Sequence, residues 1–237
     1  MTQGNLIGEL SFVKIISRNN MFEDIQIEAT NQLSAVKTLC DKVNDSHPIE
    51  PSEELHNNVC KGLSFVVLYG ALEYTLTSVV SATIQKINDI NINSDLLKPR
   101  LLSLSLNPKC DAIREGRNKK WIKQYDLFST LETPTVFSAE TNIFPAERGN
   151  IKYRHINFVW DIFGLRSPVV PDNSYMGMFE SVAENRMAIA HGRISPQNVG
   201  RSYSKDDIVK YHDKIKTYCF YILNCFETYF VNREYLK

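Results

Sequence analysis

Glu184-Asn185-Arg186-Met187-Ala188-Ile189-Ala190-His191-Gly192 puts a charge where the surrounding residues predict a core. At 100° per residue, Met178, Phe179, Val182, Ala183, Ile189 and Ala190 fall on one broad apolar arc of a helix, and Arg186 lies near its middle. Arginine is almost never fully buried without a partner, because stranding its charge away from water is costly. The guanidinium is therefore expected in a groove between helices. His191 comes one heptad after Glu184, on another side of the helix, and Gly192 supplies the stop signal. A charged arginine in a groove and an imidazole at a helix terminus are parts suited to acting on a phosphodiester.

A matching anomaly stands upstream. Pro51-Ser52-Glu53-Glu54 opens a long helix, expected over about Glu53 to Asn88, with a cap residue and acids in its first turn. Leu55, Val59, Leu63, Val66, Gly70, Val80, Ile84 and Ile87 form its apolar stripe, and Glu73 sits at the centre. A lone carboxylate there is expensive to leave charged. Two opposite charges in two core-facing stripes suggest that Glu73 and Arg186 meet. The alternative is that Glu73 caps a neighbouring helix while Arg186 reaches solvent along its own stem.

Helical patterns dominate the rest. A first helix is expected over Phe22 to Val43, ending before His47-Pro48, and another from about Asn150 to Phe163. The last opens at Ser204, where Ile208, Tyr211, Ile215, Tyr218, Ile222, Cys225 and Tyr229 recur at three- and four-residue steps, thickened by Cys219, Phe226 and Phe230. That seam reads as core. The expected architecture is an all-α helical bundle with long antiparallel helices. It forms one domain over 1–237, with an N-terminal helix within 1–45 and an irregular mid-chain insertion over 91–149. Within the insertion, Leu101-Leu102-Ser103-Leu104 and Thr135-Val136-Phe137 read as short extended pieces.

Composition narrows the function classes. Lys plus Arg and Asp plus Glu both total 27 among 237 residues, which argues against a charge-driven nucleic-acid coat protein while leaving a local basic groove open. Such a local cluster exists: Arg114, Arg117, Lys119, Lys120 and Lys123 surround Trp121. It reads either as a solvated face or as a surface that attracts phosphates, with Trp121 stacking on a base. Five scattered cysteines without a C-x-x-C pair suggest reduced thiols in a cytoplasmic protein, with neither a disulfide framework nor a zinc site. His47, His56, His155 and His212 show no ligand spacing, and no glycine-rich phosphate loop is present, so neither metal nor cofactor is expected. The start shows no signal-peptide pattern. Leu63 to Ile84 is apolar enough to raise a membrane question, but Glu73 and several Ser and Thr favour a core helix.

Arg186, four intervening residues, then His191-Gly192 closing a helix, with a capped helix following at Ser204, resembles the signature of the HEPN superfamily. That signature is an arginine and a histidine separated by four to six residues, and the bare spacing is met also from Arg148 to His155, with six between. Tyr69-Gly70-Ala71-Leu72-Glu73, and Gly149-Asn150-Ile151 leading to Gly164-Leu165, resemble RiboL-PSP-type members. The resemblance implies a bundle that dimerises so that two motif helices face one composite cleft. It further implies a metal-independent endoribonuclease of a prokaryotic toxin–antitoxin or antiviral defence system. Carried over, Arg186 binds the scissile phosphate and His191 assists attack by the RNA 2′-hydroxyl. Glu73, Glu184 and Asn185 support the pair, and Arg193 joins the basic cluster in holding RNA. Asparagine often follows the arginine in this family; here Met187 does, and Asn185 is the candidate substitute. The expected partners are RNA, a second copy and an antitoxin or defence protein, with no membrane. The alternative is a non-catalytic HEPN module that binds nucleotide or protein.

Overall fold

The structure, a computed structural model, describes residues 21–44, 50–116, 119–142, 144–145 and 151–237. Local chemistry at the helix ends sets the element boundaries. Proline, whose fixed φ suits a first turn, opens α2 (Pro51–Asp89), α3 (Pro99–Ser105) and α8 (Pro196–Arg201) and sits in the first turn of α4 (Asn107–Glu115). Ser204 and Asp207 cap each other's backbone N–H groups at the start of α9 (Lys205–Val231). Gly164, at φ 67°, ends α6 (Tyr153–Phe163), and Gly192, at φ 66°, follows α7 (Ser174–Ala190). α1 (Glu23–Asp41) and α5 (Lys120–Glu132) complete nine α-helices among the described residues.

Four of these, α1, α2, α7 and α9, build the bundle, and the short α8 rests on it. α1 packs on α2 and α9, and α2 also packs on α7, α8 and α9. The buried Asn57 side chain accepts from the Asn44 N–H and donates to the Asn44 carbonyl, fastening the end of α1 to the start of α2. Met21 N–H meets the Glu227 carboxylate while Lys205 reaches the Val43 carbonyl, so α1 runs against α9. α7 also runs against α9, placing Tyr175 and Phe179 on Tyr218, and Ser181 on Tyr211. The expected antiparallel arrangement holds for these pairs but not for the two longest helices. Lys61 bonds the Tyr203 carbonyl, Cys219 lies at the Ala71 carbonyl and Leu97 bridges Leu236, so α2 and α9 point the same way. The long intervening chain, from 91 to 203, makes a parallel pair feasible where a short hairpin cannot.

The predicted seam of α9 is the core: Ile208, Ile215, Tyr218, Ile222, Cys225 and Tyr229 are buried, with Tyr211 half-buried. The predicted stripe of α2 holds only in its second half, at Val80, Ile84 and Ile87. Leu55 and Leu63 are 45 % and 37 % exposed, and the first half buries Asn58, Cys60, Gly62, Ser64, Phe65 and Leu68 instead. A helix of 39 residues meets different neighbours along its length, so no single stripe serves it. α2 is long and apolar enough to cross a membrane, and 56 % of its apolar window is buried inside the protein. On α7, Ala190 is exposed rather than core, and Tyr175 joins Met178, Phe179, Val182 and Ala183 inside.

At one point the backbones nearly touch. A Cβ at Gly62 of α2 would lie 2.0 Å from the Pro196 carbonyl oxygen, and one at Gly200 of α8 would lie 1.8 Å from that of Asn58. α8 therefore rests on α2 through glycine on both sides.

The described residues of the 91–149 stretch are more regular than its punctuation suggests. Leu101 to Leu104 lies in helix α3, with Leu101 fully buried, and α4 and α5 form a hairpin. Extended chain does appear at Val136, which bridges Asn93 while Phe137 N–H donates to the Ile92 carbonyl. The chain's last residues add a second bridge: Lys98 N–H donates to the Tyr235 carbonyl at 2.9 Å and Lys237 N–H to that of Leu96 at 3.0 Å.

Candidate active site

α7 turns Arg186 toward α2. The guanidinium carbon stands 4.6 Å from the centre of the Tyr69 ring, an arrangement in which the ring face attracts the cation. Tyr69 is only 2 % exposed, and its hydroxyl accepts from the Ile151 N–H at 2.6 Å. The same hydroxyl hydrogen-bonds the Glu73 carboxyl one turn along α2. Burial pushes the Glu73 carboxyl above its usual range, while the Arg186 charge and the Tyr69 hydroxyl pull it back. Burial likewise raises the Tyr69 phenol. The two charges read as anomalies in the sequence are thus close enough to interact, with Tyr69 between them. A buried tyrosine looks like ordinary core in a sequence; the signal that singles it out is its place four residues before Glu73.

The raised Glu73 carboxyl has a measurable consequence. The folded state holds the proton more tightly than the unfolded chain, so this group's contribution is most favourable below the ordinary value of 4.5. It is lost as pH rises through the folded-state value and stays lost above it. Glu73→Gln, which mimics the protonated carboxyl, is expected to melt above wild type at neutral pH, with the gap closing as pH falls through that window. Parallel melting curves across the pH range check this, and a constant gap would contradict it.

His191 caps the exposed end of α7. Its N–H bonds the Met187 carbonyl, and Arg193 and Ile194 both donate to the Ala188 carbonyl as the chain turns through Gly192. Five residues at 100° each set His191 roughly 140° around the helix from Arg186. Within one chain, therefore, Arg186 faces α2 while the His191 side chain is open to solvent. The other match to the spacing is different in kind: His155 is buried, and its Nδ1 accepts from the Lys152 N–H at the start of α6. Arg148 lies outside the described residues.

Beside α7 runs an open groove of about 810 Å³. Glu184, Asn185, Met187 and Arg193 line it, facing Lys152, Tyr153 and Arg154 from the start of α6. Glu184, Asn185 and Arg193 are thus brought together, while neither Arg186 nor His191 is among the groove's lining residues. The Asn185 amide donates to the Ser181 carbonyl at 2.9 Å and to the Tyr203 hydroxyl at 2.8 Å, tying α7 to the residue before the α9 cap. Lys152, Tyr153 and Arg154 escaped the sequence reading because a helix start gives no hint of which distant helix it will face.

The basic cluster lies elsewhere. α4 and α5 pack chiefly on each other and, through α4, on α3. Arg114 pairs with Asp111 at 3.2 Å and Lys123 donates to the Ala112 carbonyl at 2.8 Å. Lys119, Lys120 and Trp121 are exposed, and Arg117 lies outside the described residues. Among the described residues no three His, Cys, Asp or Glu side chains are grouped as a metal site would need.

A family profile described as RiboL-PSP-HEPN matches residues 27–232. The chain belongs to this family. The HEPN match runs from α1 to just past the end of α9 and includes both Glu73 and the Arg186–His191 segment. HEPN domains are often ribonucleases. No curated protein and no solved structure matches this HEPN chain.

Proposed function

We propose that this HEPN protein is a metal-independent endoribonuclease that works as a homodimer, with the α7 helices of two copies lining one cleft. The observation that supports it best is the Arg186 guanidinium, set over the Tyr69 ring and beside Glu73, on a helix whose exposed end carries His191. Arginine's planar fork can donate to two phosphate oxygens at once. Tyr69 and Glu73 restrict how that fork turns. A dimer with facing α7 helices supplies what one chain lacks, an imidazole presented to the same phosphate.

In the reaction, the RNA 2′-oxygen forms a bond to phosphorus as its proton passes to His191. The bond from phosphorus to the 5′-oxygen breaks, and that oxygen leaves as a hydroxyl with the proton that His191 gives back, which returns the imidazole to its starting state. The products are a 2′,3′-cyclic phosphate and a 5′-hydroxyl end. Because the nucleophile belongs to RNA, DNA is not cut. Glu184 and Arg193 in the adjoining groove contact the flanking strand. The family resemblance supports a cytoplasmic role as the toxin of a toxin–antitoxin pair or an antiviral effector, restrained by a protein partner.

One observation favours a second reading, a non-catalytic module that binds nucleotide or protein: Met187 follows the arginine, and the Asn185 amide is engaged with Ser181 and Tyr203. Incubating the protein with total RNA in EDTA separates the two. Cleavage that persists and leaves cyclic-phosphate and 5′-hydroxyl ends supports the nuclease; RNA that is retained intact supports the module.

A further inference from the structure

α5 carries more uncovered apolar surface than any solvated helix needs. Trp121 is 86 % exposed, Tyr125 72 %, Phe128 64 %, Ile122 60 % and Leu131 54 %. Trp121, Tyr125, Phe128 and Glu132 follow at steps of four, three and four residues and share one stripe. The opposite side faces α4, where Lys109 bonds Thr130 and Lys123 bonds Ala112. Contiguous exposed apolar surface of this kind marks an interaction site.

We propose that the outer face of α5 pairs with α5 of a second copy of this chain, in antiparallel register about a two-fold axis between Tyr125 and Phe128. Three arguments select this occupant. First, the stripe is self-complementary: the axis sets Tyr125 against the partner's Phe128, and Phe128 against the partner's Tyr125. Second, the charges agree. Lys119 and Lys120 stand at one end of α5 and Glu132 at the other, so the same register sets Glu132 over the partner's Trp121 with the partner's Lys120 one residue beyond it, within reach of the carboxylate. Third, the area suffices. Buried aromatics cover roughly 150–250 Å² each, so with Ile122 and Leu131 the face offers roughly 600–800 Å², close to what each partner gives a standard interface.

RNA fits less well. Lys109, Lys123 and Arg114 are engaged within the hairpin, and Ile122 and Leu131 give a base nothing to stack on. This surface is distinct from the α7 cleft and does not depend on the nuclease reading. A chain with both faces builds dimers of dimers.

The test is the molar mass of the full-length protein in solution, by light scattering across a concentration series, beside its melting temperature. Tyr125→Glu with Phe128→Glu is expected to halve the mass while leaving the melting temperature unchanged, since both rings are exposed in the single chain. Lys120→Glu alone should shift association to higher concentration, and adding Glu132→Lys should restore it. A wild-type chain that is monomeric throughout, or a mass that the double substitution leaves unchanged, overturns the proposal. In the second case, lost RNA retention reassigns the face to nucleic acid, and a lowered melting temperature reassigns it to another part of the same chain. Neither outcome alters what EDTA-resistant cleavage would show.

Discussion

Arg186→Ala is expected to lower the proposed RNA cleavage by about 10²–10³-fold and to leave the bundle standing. The expected loss is what removing one preorganised donor from a developing phosphorane charge typically costs. The structural contribution at risk is small by comparison. A cation over a tyrosine ring is worth about 0.5–1 kcal/mol at a partly exposed site, so melting should shift by only a few degrees. Arg186→Lys keeps the charge without the fork and should fall between the two. His191→Ala is expected to lose about 10²–10⁴-fold, the usual worth of a positioned acid–base group, with stability untouched because the side chain is exposed. The double variant should be no slower than the worse single one, as is usual when two groups act as a unit. Single-turnover cleavage of a labelled RNA, paired with melting curves, reads all four variants. An Arg186→Ala protein that cuts at the wild-type rate would sink the assignment.

The largest stability effect is expected away from the site, at the crossing of α2 and α8. Gly200→Ala places a methyl group 1.8 Å from the Asn58 carbonyl oxygen, and Gly62→Ala places one 2.0 Å from that of Pro196. Both obstacles are backbone, so no side chain can swing aside and the helices must separate. Forced overpacking in a tight interior costs about 3 kcal/mol at the upper end of its common range. For a chain of this size that lowers Tm by roughly 6–12 °C, at about 2–4 °C per kcal/mol. Gly177→Ala is the comparison: an added Cβ there meets nothing within 4 Å, and α7 gains up to about 1 kcal/mol in helix propensity. Thermal unfolding of the three variants tests the contrast, and equal melting temperatures would show that the crossing is looser than its geometry implies.

This crossing also marks where the sequence stops being legible. Hydrophobic periodicity reports which residues seek an interior, and it located α9 almost to the residue because that helix keeps one face inward along its whole length. It misplaced the first half of α2, where the inward residues include Cys60, Gly62 and Ser64, chosen for smallness rather than apolarity. It missed α8, whose six residues complete less than two turns, and the α4–α5 pair, whose apolar residues point outward. The site was legible in proportion to how badly its residues suit their surroundings. Arg186 and Glu73 stood out because charges do not belong in apolar stripes. Tyr69, which comes between them, was noted only as the first residue of a family-like run and given no role, and Tyr153, which lines the groove, was not noted at all, because aromatic rings suit a core whether or not they have a further role.

The bridge between Leu97 and Leu236 has a mechanical side. Because α2 and α9 run the same way and are stitched together just past their ends, neither can peel off without undoing the other's last turn. Fraying that begins at the end of α9 is therefore transmitted straight to the longest helix, and the pair should exchange its amide protons as one cooperative block.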